Sequence, residues 1–224
     1  MVLKERLAAL KKRIPPQTRL IAVSKTHPAS SILEAYECGQ RVFGENKVQE
    51  LCAKEEELPK DIEWHMIGHL QSNKVKYIAP FVALIHGVDS FKLLRTIDKE
   101  GRKNKRVIPC LLQVHIAEES TKFGFSPEEL REMLAAGAWR ELEFVELRGL
   151  MGMGTFTEEK AQVQREFHSL KVLFDEVRMQ YFADRAAFKE LSMGMSDDFE
   201  LAIAEGSTLV RVGSALFGAR DYNL

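Results

Sequence analysis

The chain has 224 residues, which is long enough for one large α/β barrel or for two small domains. Hydrophobic residues make up 45% of it and charged residues 29%, as in an ordinary soluble globular protein. The formal net charge of −1 gives no electrostatic reason to expect a nucleic-acid or membrane partner.

The first half of the sequence predicts an amphipathic helix followed by four strands. Apolar residues recur at helical spacing near the N-terminus, at Leu3, Leu7, Leu10 and Ile14. Pro15 and Pro16 are expected to end this helix, because proline removes a backbone donor and clashes with the preceding turn. Short apolar runs then predict strands at residues 20–23, 41–43, 62–67 and 82–85.

The second half predicts four more strands, again with helices between them. These strands are expected at residues 107–114, 144–150, 188–191 and 208–212. Helices are expected over residues 30–39, 90–103 and 197–204, from residue 46 onward, and between residues 157 and 181.

Several helix ends carry capping residues. Ser30 or Ser31 is expected to cap the helix over residues 30–39. Thr157 is expected to cap the long helix between residues 157 and 181. Ser126, Pro127 and Glu129 form a capping-box pattern at the start of another helix. Glycines are expected just past two helix ends, at Gly39 and Gly137.

Eight short strands that alternate with helices predict a parallel sheet. No Gly/Ser-rich or Pro-rich linker interrupts the alternation. We therefore expect a single (β/α)8 TIM barrel over residues 1–224, with an extra N-terminal helix. The competing prediction is a doubly wound open sheet.

Lys25 is a candidate nucleophile. It directly follows the buried first strand, between Ser24 and Thr26. Partial desolvation at the end of a buried strand lowers the pKa of an amine, so that it can attack a carbonyl. The alternative is a solvated lysine that begins a loop, which is the commoner environment of lysine.

The loops after strands 7 and 8 predict a phosphate site. They read Ser-Met-Gly-Met-Ser over residues 192–196 and Arg-Val-Gly-Ser over residues 211–214. In a (β/α)8 barrel a phosphate often lies between these two loops, and glycine and serine supply backbone N–H groups and hydroxyls to hold it. The alternative is that the glycines only serve tight strand-to-helix turns.

These residues resemble a known protein family. The motifs are AVSKTHP (22–28), FGENKVQE (43–50), WHMIGHLQSNK (64–74), KFGF (122–125), LRGLMGMG (147–154) and the block from LSMGMS to GARDY (191–222). They resemble, nearly from end to end, the YggS/PROSC (PLPBP) family of pyridoxal 5′-phosphate (PLP) homeostasis proteins. That family is related to the barrel domain of alanine racemase.

The resemblance implies a cofactor and the residues that hold it. Lys25 matches the lysine that forms a covalent Schiff base with PLP, and Arg211 an arginine beside the pyridine nitrogen or the phosphate. Ser196, Gly213 and Ser214 match phosphate contacts. Further cofactor-binding positions are expected at Asn46, His65 and Met195.

The resemblance also implies a function. It favours a PLP carrier or regulator without strong catalytic activity, as a monomer or weak dimer that transfers PLP to apoenzymes. The alternative is a PLP-dependent amino-acid racemase or decarboxylase. Those enzymes carry an additional β-domain after the barrel, which we do not expect here because the eighth strand ends close to Leu224.

Other charged and metal-binding candidates have simpler explanations. His65 and His69 are four residues apart, but they fall on a predicted strand and beyond Gly68, so we expect no metal site. Basic residues between 99 and 106 are expected at a helix C-terminus, and Asp197 and Asp198 at a helix N-terminus. At these ends each charge interacts favourably with the helix dipole. His27 is either a pocket neighbour of Lys25 or an ordinary loop residue.

The cysteines and the N-terminal residues indicate in which cellular compartment we expect the protein. Cys38, Cys52 and Cys110 are scattered without a C-x-x-C, which is typical of reduced thiols in a cytosolic protein. The N-terminal residues are charged throughout, unlike a secretory signal. No apolar run approaches the length of about 20 residues that a helix needs to span a bilayer. We therefore expect a cytoplasmic protein.

Overall fold

Eight parallel strands form a closed barrel in the order of the sequence. The structure is a computed structural model that describes residues 2–118 and 123–218. The strands are β1 (Arg19–Val23), β2 (Val42–Glu45), β3 (Glu63–Met66), β4 (Leu84–Val88), β5 (Ile108–Gln113), β6 (Val145–Met151), β7 (Glu190–Ser192) and β8 (Leu209–Val212). The (β/α)8 prediction is therefore confirmed over the described residues, and the open doubly wound sheet is excluded by the pairing of β1 with β8.

Helices connect the strands and cover the barrel. They are α1 (Leu3–Arg13), α2 (Ala29–Glu37), α3 (Val48–Glu57), α4 (Val75–Ile78), α5 (Phe91–Asn104), α6 (Pro127–Ala136), α7 (Lys160–Tyr181), α8 (Phe199–Ala204) and α9 (Ser214–Phe217). Two short 3-10 helices, Ser72–Lys74 and Ala138–Glu141, precede α4 and β6. The extra N-terminal helix α1 is confirmed, and it packs against α2 and α9. Across the described ranges, none of these helices is long and apolar enough to cross a bilayer.

The apolar runs form strands because both faces of a closed parallel barrel are buried. Every residue of β4 and of β5 is buried. A small apolar cluster fills the barrel interior, formed by Ile21, Leu84, Leu111, Met151 and Leu209. A larger apolar cluster lies between the strands and the surrounding helices.

Most of the predicted helix ends are confirmed. Ser126 Oγ accepts from the Glu129 N–H, and the Glu129 side chain accepts from the Ser126 N–H, as a capping box requires. Gly39 and Gly137 follow their helices with φ of 85° and 76°. In this left-handed region glycine avoids the Cβ penalty of other residues.

Three predicted capping residues are wrong. The N-cap of α2 is Pro28, so Ser30 and Ser31 lie within the first turn. The N-cap of α7 is Glu159, and Thr157 Oγ1 instead accepts the N–H of Glu159 within the preceding turn.

The position of β4 also differs from the prediction. It runs to Val88 rather than ending at Ile85, because His86 and Gly87 interrupt the apolar run without interrupting the strand. Lys122 and the last residues of the C-terminal motif, 219–222, lie outside the described residues.

Candidate functional site

A cavity of about 230 Å³ lies at the carboxyl ends of β1, β2, β7 and β8. Of the eight sequence-predicted site residues, seven line it: Lys25, Asn46, Met195, Ser196, Arg211, Gly213 and Ser214. Five further lining residues were not predicted: Val23, Ile67, Met153, Phe156 and Asp197. This end of a (β/α)8 barrel is where active sites are found.

Lys25 lies at the cavity because side chains alternate along β1. Ile21 belongs to the interior cluster, and Val23 lines the cavity two residues later. Continuing this period of two places Lys25 on the cavity side and Ser24 on the outer side. Ser24 is fully buried there, and its hydroxyl donates to Glu45. Lys25 itself is half-buried.

Asn46 reaches the cavity from the end of β2. A Cβ added at Gly68 would lie 2.5 Å from the Asn46 carbonyl oxygen, which is far inside any real contact. Glycine at position 68 therefore allows the two chain segments after β2 and β3 to approach.

The loops after β7 and β8 meet at Ser196. The Ser196 hydroxyl oxygen accepts the N–H groups of Gly213 and Ala215 at 3.2 and 3.5 Å. Ser196 precedes α8 by three residues, and Ser214 begins the short helix α9, which was not predicted. A serine hydroxyl and backbone N–H groups thus face one point at the cavity, and these are the groups that bind an anion.

Contacts of its own residues hold the loop after β7 in its conformation. Asp198, at the N-cap of α8, accepts the Met195 N–H at 2.5 Å. Burial raises the pKa of the Asp198 carboxyl more than this hydrogen bond and Arg211 lower it. Gly194 has φ of 93°, and a Cβ there would lie 2.5 Å from the Cβ of Ala202. The loop conformation therefore requires glycine at this position.

Arg211 is a buried cation on β8 that donates hydrogen bonds to neutral groups and interacts electrostatically with Asp198. It is 4% exposed, and it donates to Ser192 Oγ at 2.5 Å and to the Gly152 carbonyl at 3.0 Å. Burial lowers the pKa of Arg211 to about 10, so that the guanidinium stays charged at neutral pH. Ser192 at the end of β7 and Gly152 after β6 are thus both in contact with the Arg211 side chain.

His65 is not brought to the cavity lining. It lies buried in the barrel, where its Nδ1 is 3.0 Å from Nε2 of His86. Nδ1 of His86 is in turn 2.9 Å from Ser192 Oγ, which accepts from Arg211. His65 therefore reaches the site through two intermediates. His86, which sequence reasoning missed, was hidden because a histidine within an apolar strand resembles a core residue.

His65 and His86, the two histidines of this hydrogen-bond network, are both neutral. Burial is the main cause that lowers the pKa of His65 to about 3, and the positive charges of Arg19 and Arg148 add to it. Burial also lowers the pKa of His86 well below its ordinary value, with a contribution from Arg211. One consistent proton arrangement has Ser192 donating to His86 and His86 donating to His65.

The remaining candidates lie away from the cavity. His69 pairs with Asp89 at 3.1 Å rather than with His65, and within the described residues no group of three or more metal-binding side chains is found. His27 stacks on Phe217 of α9 and does not line the cavity. Arg106 donates to the carbonyls of Ala79 and Val82, which gives it a structural role.

The comparisons with known proteins agree with this geometry. The family model for the alanine racemase N-terminal domain matches residues 2–221. A protein of Aquifex aeolicus named pyridoxal phosphate homeostasis protein is 44% identical over 205 residues, covering 91% of this chain and 88% of that protein. The structure of PipY from Synechococcus elongatus PCC7942 with PLP bound has a TM-score of 0.87 at 41% identity, covering 97% of this chain and 100% of that one.

A more distant structure shares the fold alone. Alanine racemase of Clostridium difficile 630 has a TM-score of 0.77 at 14% identity, and it is covered over only 57% of its length. The barrel and the matched family model define the class as alanine-racemase-like barrels. Within that class, the chain belongs to the family of the pyridoxal phosphate homeostasis proteins.

Proposed function

We propose that this protein binds PLP, holds it covalently on Lys25, and serves intracellular PLP homeostasis as a carrier or regulator. The observation that carries the proposal is the cavity that brings the Lys25 amine together with Ser196, Gly213 and Arg211. It is supported by the PLP-bound relative and by the names of the homologues.

The donor set fits the two reactive parts of PLP. PLP supplies an aldehyde, whose carbon a neutral primary amine attacks; water leaves as the Schiff base forms. Lys25 is the one lysine among the described residues that line the cavity. The phosphate is a strong acceptor of hydrogen bonds, and the Ser196 hydroxyl, whose oxygen accepts the N–H groups of Gly213 and Ala215, keeps its own hydrogen to donate to it.

Arg211 is assigned to the ring nitrogen or to the phosphate. In either place it can only donate, because a guanidinium has no acceptor and stays charged. Beside the ring nitrogen it would keep that nitrogen unprotonated, which weakens the electron sink on which PLP chemistry depends. His65, His86 and Ser192 hold Arg211 in this orientation through the chain of hydrogen bonds described above.

The same cavity supports a binding role rather than strong catalysis. Among its described lining residues there is no tyrosine, histidine or cysteine, and the Asp197 carboxylate is the one group besides Lys25 that could act as an acid or base. A racemase needs such a group on each face of its substrate, since proton transfer by a positioned side chain contributes about 10²–10⁴-fold to the rate. Asp197 directly follows Ser196, so we expect its carboxylate on the phosphate side of the cavity rather than opposite Lys25.

Assembly and location are also proposed. We expect residues 1–224 to act as one barrel domain, as a monomer or weak dimer, that transfers PLP transiently to apoenzymes in the cytoplasm. The free thiols of Cys38, Cys52 and Cys110 support a reducing compartment.

The test is to trap the adduct. Purified protein is loaded with PLP, and its visible absorbance is recorded before and after borohydride reduction. Peptide mass spectrometry should then place the reduced adduct on Lys25. Lys25→Ala should lose the visible band, whereas Lys47→Ala, an exposed lysine at the N-cap of α3, should keep it. A coloured Lys25→Ala protein, with its adduct on another lysine, would overturn the assignment.

A further inference from the structure

A buried cluster of ionic side chains lies on the outer side of the barrel wall, directly behind Lys25. It consists of Glu45 at the end of β2 and of Glu50 and Lys54 on α3. Glu45 is completely buried, and Lys54 is 6% exposed. None of the three lines the PLP cavity, so the proposed function does not use them.

Lys54 connects this cluster to the chain before Lys25. Its Nζ donates to the Ser24 carbonyl at 2.8 Å, to Glu45 Oε1 at 2.8 Å and to Glu50 Oε1 at 2.7 Å. All three ammonium hydrogens therefore have acceptors. The Ser24 hydroxyl also donates to Glu45 Oε1, at 2.6 Å. The residue before Lys25 is thus held through both its backbone and its side chain.

Glu50 connects the cluster to the chain after Lys25. Its Oε1 accepts the Thr26 N–H at 2.6 Å. Thr26 has φ of 67°, a left-handed conformation that is unfavourable for a β-branched residue and persists only where its surroundings fix it. The carboxylate therefore stabilises the turn by which the chain leaves β1 immediately after Lys25.

A role in specifying geometry explains this arrangement better than a role in stability. Burying two charges costs much of what their attraction returns, so a buried ion pair is weak evidence for stability. One oxygen of Glu45, Oε2, even lacks a hydrogen-bond partner among the residues that the structure describes. What the cluster does achieve is to fix the two peptide groups that flank a single side chain.

We propose that Glu50 and Lys54 are positioning residues for Lys25: they hold the backbone of Ser24 and Thr26 so that the Lys25 amine points into the cavity. They touch neither the cavity nor its ligand. This inference rests on the proposed function, because it assigns them to the reaction of Lys25 with PLP.

The test measures Glu50 variants in two proteins, one with Lys25 and one with Lys25→Ala. Glu50→Ala removes the acceptor of the Thr26 N–H and one acceptor of Lys54, at a partly exposed site. The rate at which the borohydride-trapped adduct forms on Lys25 should fall by about tenfold or more, as expected for loss of a charge-assisted hydrogen bond. Glu50→Gln keeps an acceptor oxygen and should restore most of the rate. Glu57→Ala, an exposed residue on the same helix, is the matched control.

The second background separates positioning from general disruption. In Lys25→Ala protein, non-covalent PLP affinity depends on Arg211 and on the residues that hold the phosphate, Ser196, Gly213 and Ser214, which we call the phosphate cup. Glu50→Ala should leave this affinity unchanged. If Glu50→Ala lowers the non-covalent affinity in the Lys25→Ala background by as large a factor as it lowers the rate of adduct formation on Lys25, Glu50 supports the whole cavity and the inference is overturned. An adduct that forms in Glu50→Ala as fast as in wild type would also overturn it.

The outcomes distinguish this inference from the proposed function. If wild-type protein forms no adduct on Lys25, the proposed function fails. If wild type does so and Glu50→Ala behaves identically, only the positioning role fails. Should Glu50→Ala not fold, amide exchange in wild type decides: the Thr26 N–H should be protected, and exchange at the rate of an unstructured amide would contradict its bond to Glu50.

Discussion

The hydroxyl oxygen of Ser196 accepts the backbone N–H of Gly213 and so joins the loop after β7 to the loop after β8. The same oxygen accepts the N–H of Ala215, and the Arg211 N–H donates to the Gly194 carbonyl at 3.0 Å. Side-chain and backbone hydrogen bonds together therefore set the separation of the two loops at the cavity.

Ser196→Ala should weaken PLP binding by about 10-fold to 100-fold and leave the fold intact. The reason is that a hydrogen bond to a charged group contributes about 1.5–3 kcal/mol. Isothermal titration and thermal melting check this, with Ser169→Ala on the exposed face of α7 as the control. Pyridoxal, which lacks the phosphate, should bind wild type far more weakly than PLP, and equal affinities would rule out the phosphate cup.

Gly194→Ala should destabilise the protein by about 2–4 kcal/mol. The substitution adds the cost of a left-handed φ to a collision with Ala202 and with the backbone at Phe199. Gly206→Ala is the matched control, because Gly206 has the same φ of 93° but its Cβ would meet only the flexible side chain of Lys171. It should cost about 1–2 kcal/mol. Urea unfolding measures both, and equal losses would mean that the predicted collision is absent.

Stability should fall in acid partly through His65. Its folded pKa is about 3, against an unfolded value near 6.5, so the unfolded chain binds a proton that the folded protein does not. The free energy of unfolding therefore declines as pH falls below about 6.5, and His65 accounts for about 2 kcal/mol of the decline by pH 5.

Urea unfolding at about pH 7.5 and about pH 5 tests this contribution. His65→Asn should be less stable than wild type at the higher pH but should lose about 2 kcal/mol less between the two. Ser169→Asn, a substitution of a residue without a titratable side chain on the exposed face of α7, should keep the wild-type decline. A decline in His65→Asn as steep as that of wild type would contradict a neutral buried His65.

The PLP-loaded protein should exchange the α-protons of amino acids no faster than free PLP does. Apart from Lys25, the described cavity lining offers one further acid or base, the Asp197 carboxylate, which directly follows the proposed phosphate contact Ser196, and an arginine beside the ring nitrogen could only donate a hydrogen bond to it. Incubation with each proteinogenic amino acid in deuterated water, followed by NMR, measures the exchange. Turnover at ordinary enzyme rates that Lys25→Ala abolishes would instead support a racemase-like function.

The sequence predicts the barrel and most of the cavity for one physical reason. In a closed parallel barrel all strands end at the same edge, so Lys25 after β1 and Gly213 after β8 must become neighbours once the strands are recognised. Short apolar runs identify strands that are buried on both faces. The lining residue Met153 was missed because the motif LRGLMGMG (147–154) does not say which of its side chains faces the cavity, and Phe156 was missed because it lies beyond that motif.

Buried polar groups are what sequence reasoning could not place. Lys54 lies in a run of charged residues on α3, a pattern that is typical of a solvated helix face. In the structure it is instead buried against Glu45. His86 occurs within an apolar strand, so its link to Arg211 through Ser192 depends on tertiary contacts alone. His65 was expected at the pocket, but period-two alternation does not say how deep in the barrel a side chain lies.

The pairing of β1 with β8, which sets Ile21 opposite Arg211, also constrains when the site can form. β1 and Lys25 leave the ribosome before β8, which carries Arg211. Until β8 arrives, β1 has an unpaired edge, and Lys25 has neither Gly213 nor Ser214 beside it. The capacity to bind PLP therefore reports that the barrel has closed.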